Sequence, residues 1–83
     1  MAKTWKKINK RQALKLFEAG QDVYVLPNKA NPYSPWIEPA LVNLAAQIES
    51  DLSFAFDMFC NSYRYYNCNN ELGNSLAYYV EKR

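Results

Sequence analysis

The sequence predicts a small α+β domain of two layers, in which helices cover one face of a largely antiparallel sheet. Its 83 residues are the size of a single domain, expected to span residues 1–83. Segments of helical period alternate with short runs of β-branched and aromatic residues. All four prolines lie between residues 27 and 39, where no helix can pass. The expected order is β-α-β-loop-α-β-β, ending in a C-terminal antiparallel hairpin.

The first strand and the first helix are predicted from local patterns. Residues Thr4 to Ile8 favour a short edge strand. Asn9 followed three residues later by Gln12 is typical of a capping box, so a helix is expected from Lys10 to Ala19. Apolar residues at positions 13, 16 and 17 give this helix one buried face. Gly20 is suited to the left-handed position that ends it.

A second strand is expected immediately afterwards, over Asp22 to Leu26, because this segment is rich in β-forming residues and precedes a proline. Residues 27–39 then form a structured loop that carries Tyr33 and Trp36.

The segment after Pro39 repeats apolar residues with helical period, at positions 41, 44, 45, 48, 52, 55, 56 and 59. Ser50 and Asp51 can interrupt it with a new cap, giving two helices rather than one. A strand over residues 40–44 is the alternative for the first half. Two later segments, Tyr63–Cys68 and Leu76–Val80, are rich in β-forming residues and flank a turn-rich stretch, which predicts the hairpin.

The composition argues against an enzyme and against a metal site. The chain has no His, no Gly-rich phosphate loop and no paired carboxylates. Cys60 and Cys68 cannot supply the four ligands of zinc, and we expect them to be reduced. No metal and no cofactor are therefore expected. No apolar run is long enough for a membrane span and no leader segment is visible, so the expected location is the cytoplasm.

Charge and aromatic content indicate a recognition surface. The net charge is +2, but six of the ten basic residues precede the first acid, Glu18. Aromatic residues make up 16% of the chain. The candidate ligand-binding residues are Lys10 and Arg11 in the first helix turn, Asn28, Lys29, Tyr33 and Trp36 in the loop, and Tyr65, Tyr66 and Asn67 on the predicted strand. Rings, amides and cations together suit a nucleotide. Alternatively, these aromatic residues have a structural role: half of the tyrosines belong to the core, and Trp36 only packs the loop onto the sheet.

Three segments, Val23–Lys29, Pro35–Trp36 and Tyr65–Gly73, resemble a family of small proteins from phages and prophages of Gram-positive bacteria. The resemblance covers about residues 8–80, and the family has no assigned activity. The helix-Gly-strand opening, Lys10–Leu26, is also similar to that of small phage anti-Thoeris proteins, which sequester nucleotide immune signals. No motif residue of those proteins is matched here. The resemblance implies a phage accessory protein that acts against host defence in the host cytoplasm.

Composition and resemblance together predict a non-enzymatic viral protein of immune evasion, a sponge that binds and sequesters a nucleotide-type signal. So many aromatics exceed what a small core can hold, which predicts an exposed apolar patch and a homo-oligomer with the pocket between subunits. One alternative is a protein inhibitor that directly blocks a host defence effector, as anti-CRISPR proteins do. Another is a nucleic-acid-binding accessory of phage DNA metabolism, suggested by the basic N-terminal stretch.

Overall fold

The computed structural model describes residues 4–82 and confirms the predicted α+β class. In chain order the elements are β1 (Thr4–Ile8), α1 (Lys10–Glu18), β2 (Tyr24–Pro27), β3 (Ala40–Leu41), a 3-10 helix (Val42–Gln47), α2 (Leu52–Asn67) and β4 (Leu76–Lys82). The strands form one antiparallel sheet of four, in the order β1-β4-β2-β3.

The last strand occupies the interior of the sheet. Tyr78 of β4 lies between Ile8 of β1 and Val25 of β2. Because β4 pairs with both β1 and β2, the sheet forms only when the last strand inserts between the first two strands. The sheet is thus held together by contacts between residues that are far apart in sequence.

Helix α1 forms as the sequence predicts. The Asn9 side chain accepts the Gln12 N–H at 2.8 Å, and the Gln12 side chain accepts the Asn9 N–H at 3.2 Å. These reciprocal bonds are the predicted capping box. The helix ends at Glu18, one residue before the predicted end, and Gly20 follows with φ of 84°.

The segment after the loop combines two of the predicted alternatives. Ala40 and Leu41 pair with β2, so the strand alternative is right for two residues. A 3-10 helix follows, and a separate helix, α2, then begins after Asp51. The Asp51 carboxylate accepts the Phe54 N–H at 3.1 Å, which confirms the break predicted at this position.

The predicted hairpin is wrong in its first strand. Helix α2 continues to Asn67, so the segment predicted as a strand over Tyr63–Cys68 is helical apart from Cys68, which caps the helix. Phe59 and Tyr63 lie one turn apart and stack at 6.3 Å between ring centroids. Packing of this face against the core outweighs the β preference of the tyrosines, which depends on context. The final strand, β4, consequently pairs with β1 and β2 instead.

The sheet is covered on both faces. Helices α1 and α2 cover one face, where Phe17, Phe56 and Tyr78 pack together. The proline-rich loop contributes to the other face, where Ala30 and Ile37 pack with Leu26, Ala77, Tyr79, Trp5, Tyr24 and Leu72. The two helices and the loop therefore lie on opposite sides of the sheet, which determines where each candidate residue can act.

Candidate functional site

The structure does not gather the predicted ligand-binding residues into one site. Lys10 lines a pocket on the helix side of the sheet, whereas Tyr33 lines a cavity on the loop side. Tyr65 and Tyr66 are on α2, in the helix layer, and Trp36 is in the loop across the sheet. Trp36 and these tyrosines therefore do not form one binding site within a single chain.

We call the helix-side pocket the basic pocket. It has a volume of about 280 Å³ and lies where the start of α1, the middle of α2 and the start of β4 meet. Its lining comprises Lys10, Asp57, Cys60, Asn61, Arg64, Ser75, Leu76 and Tyr78. Two cations from different helices face one carboxylate there. Sequence analysis missed Arg64 because it lay in the segment that was predicted as a strand; the i, i+4 spacing of Cys60 and Arg64 was the available signal.

Two buried groups form the neutral wall of the basic pocket. Cys60 and Tyr78 are both buried and belong to the same core cluster. Burial raises the pKa of the Cys60 thiol to about 11 and the pKa of the Tyr78 hydroxyl to about 12. Both groups are protonated at neutral pH, so Cys60 offers a weak donor rather than a thiolate nucleophile.

Asn28 and Lys29 belong to a joint between two turns, which we call the clasp (residues 28–30 against residues 69–75). The Asn28 N–H donates to the Ser75 carbonyl and the Lys29 N–H donates to the Leu72 carbonyl, each at 2.8 Å. Asn69 accepts the Leu72 N–H at 2.7 Å and so shapes the second turn. Ser75 also lines the basic pocket, so the clasp positions one of its walls.

The clasp therefore gives two of the segments singled out in the sequence a structural role. Positions 28 and 29 hold the clasp from one side, and positions 69–73 form the other. Asn67 has a comparable local role, because its side-chain amide donates to the Tyr63 carbonyl at 3.0 Å within α2.

The loop-side cavity, which we call the aromatic cavity, has a volume of about 360 Å³. It is lined by Trp5, Tyr24, Pro32, Tyr33, Ser34, Ile37, Glu38 and Pro39. Trp5 and Tyr24 meet edge to face, with ring centroids 4.8 Å apart and an interplanar angle of 71°. The Tyr33 hydroxyl accepts the Trp5 N–H at 2.9 Å and donates to the Trp5 carbonyl at 3.5 Å. Tyr33 thus fastens the loop to β1.

The remaining candidates are on the surface. Trp36 is 91% exposed, so the alternative that it plugs the loop onto the sheet is wrong. Ile37 packs against the loop-side core instead. Tyr65 and Tyr66 are 81% and 78% exposed, and their rings meet edge to face at 5.0 Å. Arg11 is exposed on α1 and is not in the lining of the basic pocket.

Comparisons with protein-family models, with curated proteins and with solved structures find no match. Among residues 4–82, no three His, Cys, Asp or Glu side chains are grouped so that they could hold a metal ion. Within the same range, no helix is long and apolar enough to cross a membrane. The two cavities and the exposed surface are the features from which a function is inferred.

Proposed function

We propose that the protein is a non-enzymatic binding protein that captures a small anionic ligand of the nucleotide type in the basic pocket. In the setting that the phage-family resemblance implies, this capture withholds an immune signal of the host from its receptor. The observation that carries the proposal is the convergence of Lys10 and Arg64, from two different helices, on one pocket of about 280 Å³.

The chemistry of the lining suits a phosphate group. The Arg64 guanidinium offers two parallel N–H donors and the Lys10 ammonium offers a point charge, a combination that favours phosphate oxygens. The Asn61 amide and the Ser75 hydroxyl add neutral donors. Asp57 repels a second anion but accepts a hydrogen bond from a sugar hydroxyl.

The volume of the basic pocket matches part of a nucleotide. About 280 Å³ is just below the usual range of ligand pockets, so the phosphate and sugar fill it and the base projects beyond the rim. Tyr65 and Tyr66 do not line the pocket, but their exposed rings on α2 offer a stacking surface for a base that is bound between two copies of the chain.

Lys10 and Arg11 provide a matched test of the proposal. Lys10→Gln and Arg11→Gln each remove one positive charge from the first turn of α1, but only Lys10 lines the basic pocket. With ADP-ribose as the probe in isothermal titration calorimetry, Lys10→Gln and Arg64→Gln should each weaken binding about ten- to a hundredfold, as expected for a charge-assisted hydrogen bond. Arg11→Gln should weaken it by no more than a few fold through general electrostatics.

The biological arm of the test uses phage infection of a host with a nucleotide-signalled defence. The wild-type protein should restore phage growth and should release an intact nucleotide when purified from such cells and heated. Equal losses of affinity in Lys10→Gln and Arg11→Gln would show that the net charge, rather than the pocket, attracts the probe. A heat-treated sample that contains no nucleotide would contradict sequestration.

A second candidate function is direct inhibition of a host defence protein. Large apolar side chains are exposed on the 3-10 helix and on α2, namely Leu44, Phe54, Met58, Tyr65 and Tyr66, with Ile48 between the two elements. A surface of this kind is typical of a protein interface. Direct inhibition requires that this surface is free in solution and that the host protein co-purifies with the chain.

A further inference from the structure

We propose that the aromatic cavity is a binding site for an alkylated ammonium group, such as trimethylammonium. The cavity lies across the sheet from the basic pocket, so this site is distinct from the one proposed above and takes a ligand of opposite charge. Three rings and one carboxylate surround about 360 Å³ in it: Trp5, Tyr24, Tyr33 and Glu38.

The arrangement of the rings suits a cation. Trp5 and Tyr24 meet at 71°, so their planes form two walls of a corner rather than a flat stack. Tyr33 forms a third wall, and its position is fixed by the hydrogen bonds of its hydroxyl to the backbone of Trp5. Aromatic faces attract cations through the negative charge of their π-electrons, and Trp does so most strongly.

Charge around the aromatic cavity also favours a cation. Glu38 lines it, and no lysine or arginine is among the described residues of the lining. Beyond the lining, Glu81 and Lys7 are paired with Trp5 and Tyr79 on the same face of the sheet, so their opposite charges offset each other. A phosphate would be repelled by Glu38, whereas a positive group gains from its carboxylate and from the rings.

The apolar part of the lining selects for alkylation. The side chains of Pro32, Ile37 and Pro39 offer no hydrogen bond, so few groups besides Ser34 and Glu38 remain to replace the several waters that a primary ammonium loses on entry. A trimethylated ammonium carries its charge on a larger, weakly hydrated surface and so pays little for desolvation. The same group occurs on free small molecules and on methylated lysine side chains, and the cavity chemistry is common to both.

The two tryptophans of the chain allow a direct measurement. The variant Trp36→Phe leaves Trp5 as the only tryptophan, and Trp36 is exposed, so the fold is retained. Titration of this variant with choline should change the Trp5 fluorescence in a saturable way. The matched variant Trp5→Phe leaves only Trp36, whose fluorescence should not respond. The neutral isostere 3,3-dimethylbutan-1-ol should bind at least about tenfold more weakly, since it lacks the charge that the rings and the carboxylate attract.

A second variant tests the charge alone. Glu38 is exposed, so Glu38→Gln keeps the fold. The substitution should weaken choline binding about two- to fivefold and should make this binding less dependent on salt concentration. Trimethyllysine within a short peptide, compared with choline, distinguishes the two sources of the group. Equal binding of choline and its neutral isostere would overturn the proposal, because the cavity would then be merely apolar. The absence of a saturable response to both choline and trimethyllysine would overturn it as well.

Discussion

Cys60 and Tyr78 illustrate how burial determines the chemistry of a single residue. The Cys60 side chain is only 5% exposed, and loss of water raises its pKa more strongly than the neighbouring Lys10 lowers it. Tyr78 is affected in the same direction, also chiefly by burial. The sequence predicts reduced cysteines, and Cys60 is free and buried in the structure. Its partner could not be predicted, because contact with Tyr78 requires α2 to lie over β4.

This pair predicts a loss of stability at alkaline pH. In the unfolded chain the thiol ionises near its ordinary pKa of 9.0, whereas in the folded chain it ionises near 11. Between these values the unfolded chain releases a proton that the folded chain keeps, so stability is complete below pH 9 and is lost as the pH rises towards 11. The loss should amount to about 1–2 kcal/mol, with Tyr78 adding to it above pH 10.

Thermal unfolding followed by circular dichroism between pH 8 and pH 11 measures this effect. Cys60→Ala is the control, because it removes the thiol and should make the decline in melting temperature shallower over the same range. Parallel curves for the two proteins would show that Cys60 does not carry the alkaline loss.

Tyr33 and Trp36 show why individual roles in the loop could not be predicted. Both are rings among prolines, and an irregular segment has no period that assigns one ring to the interior and another to solvent. The structure directs the Tyr33 hydroxyl to the backbone of β1 and leaves Trp36 exposed. Sequence analysis identified the loop as a ligand-binding candidate but could not distinguish these two roles.

At the scale of elements, a helix or strand is predicted correctly when the residues that determine it are close together in the sequence. Helix α1 was predicted because its capping box and its apolar face lie within ten residues. The strand predicted over residues 63–68 is wrong because its tyrosines favour a strand locally, whereas the helix that Asp51 caps continues through them and packs the partly buried Tyr63 against the core. The order of strands, with β4 inside, depends on contacts between the chain ends and has no local signal.

The clasp between the two turns gives a prediction for Gly73. Its φ is 105°, and an added Cβ would meet the Asn28 side chain and lie 3.0 Å from the Lys29 nitrogen. Gly73→Ala should therefore destabilise the protein by about 2–4 kcal/mol, from backbone strain and steric conflict together. Urea unfolding measures the change in the free energy of unfolding.

Gly20 is the matched control for that substitution. Its φ is 84°, but nothing lies within 4 Å of an added Cβ, so Gly20→Ala should cost only the backbone strain of about 1–2 kcal/mol. An equal loss in the free energy of unfolding for the two variants would mean that the clasp shifts easily to accommodate the added Cβ. The clasp would then not hold the Ser75 wall of the basic pocket in place.

At the scale of the whole molecule, the sheet separates three surfaces. The basic pocket lies on the helix side, the aromatic cavity lies on the loop side, and the exposed rings of α2 face away from the core. The α+β class followed from composition and period. Which candidate residues lie on which face of the sheet could not be predicted from the sequence, since this depends on which side of the sheet the loop covers.

The exposed side of α2 predicts that the protein is a homodimer. Phe54, Met58 and Tyr65 lie along this side, away from the buried Phe56 and Cys60. Exposed apolar side chains of this size are usually covered in solution, and a two-fold axis lets one surface cover itself.

An antiparallel pairing of α2 helices centred between positions 60 and 61 sets Phe54 and Met58 of each protomer beside the last turns of the facing helix, where Tyr65 is exposed.

Light scattering at tens of micromolar protein should therefore give twice the chain mass of 9.7 kDa. Met58→Glu should convert the protein to a monomer, because it buries an unpaired charge at the centre of the interface. Trp36→Glu is the control, since it places the same charge on an apolar side chain that is even more exposed but lies in the loop, and the variant should remain a dimer. A wild-type protein of 9.7 kDa under these conditions would contradict the dimer. It would leave the apolar side of α2 free for a different protein, which is the situation that direct inhibition of a host factor requires.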